Sequence, residues 1–174
     1  MRTTLYVSVL SCGILLSCNG NSTGKPVANT ILNEQVDSIV IVKSKRMMEV
    51  YNHQRLAKTY HVCLGPEPIG PKHVKNDGKT PEGMYHINGK NPNSHYHKCL
   101  GVSYPSAEDV RYAASVGKPT GGDIKIHGLP NGRGYLAKAF ARMDWTAGCI
   151  ALKDDEIDEL YAHVAVGTCV NILP

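Results

Sequence analysis

The sequence predicts a mainly β domain with short α-helices, and three observations carry that expectation. Short runs with strand-like apolar patterning fill the first half of the chain, helical stretches with start and stop signals appear only in the second half, and there is neither an internal repeat nor a regular strand–helix alternation. A length of 174 residues is that of one domain.

Taken in order, the chain opens with Arg2 and a mostly apolar run from Leu5 to Leu16, which fits a secretory signal over residues 1–17 and is too short to span a bilayer. Its end, Leu15-Leu16-Ser17-Cys18, resembles the lipobox of bacterial lipoproteins, which implies cleavage before an acylated Cys18. Two or more acyl chains anchor a protein stably, so the resemblance implies a membrane-anchored lipoprotein of the cell envelope, on the periplasmic side. Residues 18–35 are polar and aperiodic and read as the lipidated N-terminus and a flexible tether. The folded domain is expected over residues 36–174.

Within it, Ser38–Val42, Met47–Tyr51 and Leu56–Leu64 read as a β-meander, followed by a Gly/Pro-rich loop from Gly65 to Gly83 and strands at Met84–Ile87 and Tyr96–Val102. Ser106 is placed to cap a helix that runs to Val116 and stops at Gly117. Ile124–His127 alternates like a strand, Leu136–Met143 and Asp154–Val164 read as helices, and Thr168–Leu173 closes the sheet.

Hydrophobic residues make up 42% and charged residues 20%, which argues against disorder and against a multi-span membrane protein. The formal charge is only +4, and Lys43, Lys45 and Arg46 form the one tight basic cluster, so no nucleic-acid site is expected; the balance suits anionic partners mildly.

Loss of the signal removes Cys12 and lipidation consumes Cys18, leaving Cys63, Cys99, Cys149 and Cys169, with no C-x-x-C pair. Cys149 differs from the others by following Thr146-Ala147-Gly148, where a glycine lets the backbone come close and aim amide N–H groups at a developing oxyanion. A free thiol is a few per cent ionised at neutral pH, so a base is needed. His127, last in a predicted strand and followed by Gly128, is the best candidate. His95, His97 and Cys99 alternate as though on one strand face; without a second ligand set a polar pocket wall is favoured over zinc, and neither metal nor cofactor is expected.

These residues together resemble the L,D-transpeptidase catalytic domain, also called the YkuD domain, in a periplasmic lipoprotein branch. The resemblance is carried by His127-Gly128, by Thr146-Ala147-Gly148-Cys149, by Thr80-Pro81-Glu82-Gly83-Met84-Tyr85-His86-Ile87, and by the string from Gly122 to Gly132. It covers Ser38 to Pro174. It implies a β-sandwich-like domain, monomeric, that acts on peptidoglycan stem peptides in cell-wall cross-linking or remodelling and hence cell shape. Cys149 would attack the amide after the diamino acid of a tetrapeptide stem, release D-Ala and hold a thioester, with His127 as base. Gly148 and Gly128 would contribute to oxyanion or substrate binding, Thr146 and Trp145 would shape the pocket, and His97 and Tyr104 would touch substrate. A disulfide between Cys63 and Cys99 stays open.

Many cross-linking members carry polar residues where this chain has Ala147 and Ala151. The resemblance therefore implies a transpeptidase, with a hydrolase of the same nucleophile (an L,D-carboxypeptidase or wall–lipoprotein amidase) as the alternative and a non-catalytic wall-binding lipoprotein behind both.

Overall fold

A computed structural model describes residues 32–174 of the chain. Eight strands, β1 (Val36–Val42), β2 (Met47–Asn52), β3 (Arg55–His61), β4 (Gly83–Ser94), β5 (His97–Val102), β6 (Lys125–His127), β7 (Ile150–Ala151) and β8 (Val164–Leu173), lie in the order β3-β2-β1-β8-β4-β5-β6-β7. Three helices, α1 (Ala107–Ser115), α2 (Ala137–Phe140) and α3 (Asp154–His163), fall in the second half. The mainly β class with short helices is as the sequence predicts.

The meander forms as expected: β1 pairs with β2 and β2 with β3, all antiparallel. Alternation selects the buried face, with Ile39 and Ile41 of β1 and Met48 and Val50 of β2 fully buried. β8 then adds beside β1 in parallel. β4 turns the sheet, because Gly83–His86 pairs with β8 whereas Ile87 onward pairs with β5, with a register shift between Ile87 and Gly89. The sheet therefore curls around one core.

Four elements differ from expectation in extent: β3 stops at His61 rather than Leu64, β8 begins at Val164 rather than Thr168, and β4 and α2 differ more. β4 runs to Ser94 although Asn88 to Ser94 is mostly polar, because backbone bonds to β5 hold that half and its side chains need no apolar face. The helix expected at Leu136–Met143 reduces to a 3-10 turn over Gly134–Leu136 and one turn of α2, with no side-chain cap. α1 starts where the cap predicts: Ser106 Oγ accepts the Asp109 N–H, and Asp109 Oδ2 accepts from Ser106. α3 buries Ile157 and Leu160 beside β5, and its first turn carries Asp154, Asp155 and Glu156, favourable at a helix N-terminus.

Structure also begins earlier than residue 36. Leu32 is buried and its N–H donates to Glu159 Oε1 at 2.5 Å. The proposed signal, Cys18 and most of the tether lie outside the described residues.

Candidate active site

The chemistry gathers where β5, β6 and β7 lie side by side. β6 and β7 are parallel, with Ile126 opposite Ile150 and His127 opposite Ala151, so a base at the end of β6 and a thiol just before β7 come to one edge. Ile126 and Ile150 are fully buried and fix that register from below. Cys149, His127, Trp145, Thr146 and Ala147 line one cleft of about 500 Å³.

The loop carrying the thiol is held from several directions. Asp144 accepts from Arg46 at 2.9 and 3.0 Å and from the Leu64 N–H at 2.9 Å, and the Thr146 N–H donates to the Leu64 carbonyl at 3.0 Å. Thr146 Oγ1 then donates to the Cys149 carbonyl at 2.7 Å and accepts the Gly148 N–H at 3.1 Å. Thr146 thus folds the loop while lining the cleft. Gly148 is required by packing: at φ +119° a Cβ there would stand 2.4 Å from the Lys79 carbonyl oxygen. Lys79 is itself placed by Asp77, whose carboxylate accepts the N–H groups of His73, Val74 and Lys79.

With its N–H given to Thr146, Gly148 is not an open oxyanion donor. The Cys149 N–H makes no hydrogen bond among the described residues and remains the available one.

His127 is buried, with Nδ1 2.7 Å from the Gly128 carbonyl. That carbonyl accepts only from a protonated Nδ1, so the neutral ring keeps its lone pair on Nε2. Burial pushes the His127 pKa below its usual 6.5, and Lys125 adds in the same direction against the Gly128 hydrogen bond. Burial likewise pushes the Cys149 thiol above its usual 9.0. The thiol faces the Asp123 carbonyl at 3.6 Å. Both shifts favour the neutral thiol and the neutral imidazole, an arrangement that can work by general-base chemistry without a preformed ion pair.

The Tyr96 ring lies 4.7 Å from the His127 ring, tilted by 40°, and Trp145 meets it edge-on at 5.7 Å. Trp145 also packs on Phe140 and separates the cleft from an apolar pocket of about 190 Å³ lined by Cys63, Phe140 and Leu129. Gly128 is not among the residues that line the cleft, and its N–H is already given to the Tyr96 and Lys98 carbonyls at 3.0 and 3.3 Å. Its role is the carbonyl offered to His127.

Two expected substrate contacts lie elsewhere. His97 follows the His95-Tyr96 turn with φ +62°, which breaks the alternation read for His95, His97 and Cys99, and its ring goes to Asp158 of α3 at 2.8 Å. His95 and Cys99 do line the cleft, so the three do not converge. Tyr104 is a core residue whose hydroxyl donates to the Thr120 carbonyl at 2.9 Å. Cys63 and Cys99 are both free, and lie on opposite sides of Trp145. Ala151 is buried and lines the apolar pocket, so only Ala147 of the two alanines bears on the cleft.

Sequence reasoning missed the β4–β5 hairpin as a wall: Asn91, Asn93, Ser94 and Tyr96 all reach the cleft. The polar run after Ile87 was the available signal. It also missed Lys125, two residues before His127 and hence on its face.

The chain matches the family model of the L,D-transpeptidase catalytic domain over residues 37–172. It is 26% identical over 170 residues to an Escherichia coli K12 protein, YafK, whose name assigns it without confirmation to the L,D-transpeptidases; the match covers 92% of this chain and 60% of YafK. Among solved structures it resembles the helical cell shape determining protein Pgp2 of Campylobacter jejuni, with a TM-score of 0.60 and 26% identity over 80% of this chain and 48% of Pgp2. An L,D-transpeptidase from Mycobacterium smegmatis shares the fold at a TM-score of 0.52 and 15% identity, over 78% of this chain and 58% of that one. The chain thus spans about half to three-fifths of these relatives.

Proposed function

The chain belongs to the L,D-transpeptidase catalytic domain family, and from that premise we propose that it is an L,D-transpeptidase that joins peptidoglycan stem peptides through a thioester on Cys149. The observation that carries the proposal is the shared cleft of Cys149 and His127, with the His127 tautomer fixed by Gly128. As the peptide enters, the thiol turns from the Asp123 carbonyl to His127 Nε2. Sγ attacks the diamino-acid carbonyl carbon while Nε2 takes the proton, and the Cys149 N–H faces the oxyanion. Collapse expels D-Ala, whose amine receives that proton from Nε2, and leaves the thioester. An acceptor amine then attacks the thioester, gives a proton to His127 and restores the thiol.

Water in place of the amine gives the hydrolase. The methyl group of Ala147 on the cleft, where a polar residue would help to orient an acceptor, favours that second reading. Incubation of the domain with disaccharide-tetrapeptide distinguishes them by mass spectrometry. Dimers linked between two diamino acids are expected. Tripeptide alone, formed with ample amine and lost in Cys149→Ala, would establish hydrolysis, and product formation undiminished in Cys149→Ala would remove the nucleophile assignment.

We place the enzyme at the periplasmic face of a membrane, held by a lipidated Cys18, on the sequence of residues 1–18. Cys18→Ala is expected to release the protein into the soluble fraction or block its maturation; unchanged fractionation and an unchanged mature N-terminal mass would end that assignment.

A further inference from the structure

Among the lysine, arginine, aspartate and glutamate side chains, two line the cleft. Lys125 is the one lysine or arginine among its lining residues and Asp123 the one carboxylate. Lys125 lies on β6 two residues before His127, so both side chains leave the same face of the strand. The parallel pairing of Ile126 with Ile150 sets Lys125 beside Cys149, and the Lys125 charge is felt at both reacting groups.

The ammonium has little to do in the fold. It makes no hydrogen bond to the described residues, and its one ion pair is to Asp123 at 3.6 Å, a carboxylate whose side chain is 89% exposed. Such a pair contributes little and is readily exchanged for another carboxylate. A cation next to the reacting groups, weakly engaged and backed by the buried floor of β6, is placed to receive charge from a ligand.

We propose, resting on the stem-peptide reading above, that Lys125 is a specificity-determining residue that binds a free carboxylate within one residue of the scissile amide. Two carboxylates of a tetrapeptide stem meet that description: the terminal carboxylate of the leaving residue, and the side-chain carboxylate of the diamino acid. The chemistry of recognition is the same for both, and the substrates separate them.

Three peptides serve as the test: the free acid, the same peptide with a terminal carboxamide, and the same peptide with the diamino-acid carboxylate amidated. Thioester formation on Cys149 is followed by intact-protein mass spectrometry, as kcat/KM. Wild-type protein is expected to prefer the free acid over one of the amides by roughly tenfold, a preference weakened by salt. The amide that is discriminated names the carboxylate. Lys125→Gln is expected to bring the ratio to within about threefold, and Lys125→Arg to keep most of it. Because the ratio compares peptides on one enzyme, a general loss of thiol reactivity cancels. A preference that survives in Lys125→Gln, or none in the wild type, overturns the inference while leaving the enzyme assignment intact. No thioester on wild-type protein with any of the three would instead sink the underlying reading, and this inference with it.

Discussion

Cys149 and His127 are both shifted by burial, and in opposite senses: the thiol is held protonated above its usual 9.0 and the imidazole neutral below its usual 6.5. In the mechanism we propose, the nucleophile is therefore made only when His127 accepts its proton during attack. This gives a pH signature. Acylation by stem peptide needs neutral His127, so it is expected to hold its rate as pH falls to 6.5 and to decline only below, as the imidazole charges. Alkylation by iodoacetamide, which is neutral and needs thiolate, is expected to be slow near neutrality and to rise with a midpoint above 9. Rapid alkylation at pH 6–7, removed in His127→Ala, would mean a preformed thiolate–imidazolium pair and overturn the general-base account. Both residues were legible in the sequence because their neighbours are local: a strand ending in His-Gly and a Gly directly before the thiol. Alternation along β6 also put Lys125 on the His127 face, whereas Tyr96 was not legible, since it reaches the His127 ring from the turn between β4 and β5.

At the scale of elements, the loop from Asp144 to Cys149 is fixed by partners far away in sequence. Arg46 and Asp144 are 98 residues apart, and the close neighbour that makes Gly148 obligatory is the carbonyl of Lys79. The motif itself was readable, and a Gly before a nucleophile has an evident reading as room for substrate. The structure gives another physical reason, the contact between the nucleophile loop and the loop that Asp77 orders. The same limit applies to His97, where strand alternation failed because a two-residue turn precedes it. Gly148→Ala tests the contact. Its Cβ would lie 2.4 Å from a backbone oxygen, at a φ that L side chains rarely adopt, so one loop must move. The cost is expected to be about 2–3 kcal/mol of stability, and displacement of the thiol by about 1 Å is expected to lower acylation on the order of 100-fold. Melting temperature and acylation rate measured on the same sample check both. A variant with wild-type values would mean that the two loops yield freely and that the close approach does not position the thiol.

For the molecule as a whole, Glu159 joins the start of the described chain to the body. Its carboxylate accepts from the Leu32 N–H at 2.5 Å, from Lys58 Nζ at 2.6 Å and from Tyr60 Oη at 3.0 Å, so one residue of α3 ties the N-terminal segment to β3. None of this was visible in the sequence, which put the end of the tether at Gln35; a polar stretch with one Leu carries no periodicity, and the burial of Leu32, only 3% exposed, depends on a helix more than 120 residues later. Burial alone would raise the Glu159 pKa, but the Lys58, Leu32 and Tyr60 hydrogen bonds outweigh it, and the net shift is below the usual 4.5. A carboxyl held low in the folded state contributes stability that is fully present above 4.5 and is lost as pH falls through the lower, folded value. Glu159→Gln, uncharged at every pH, is therefore expected to melt lower than wild type at pH 7 by about 1–2 kcal/mol of stability, a few degrees in Tm. That gap is expected to close as both proteins are acidified below 4.5. Hydrogen exchange at the Leu32 amide is expected to quicken in the variant at neutral pH, since its acceptor has lost its charge. Equal melting at pH 7 with unchanged exchange at Leu32 would show that the segment is held by apolar contact alone. A gap that persists undiminished at low pH would assign the loss to packing rather than to the ionised carboxylate.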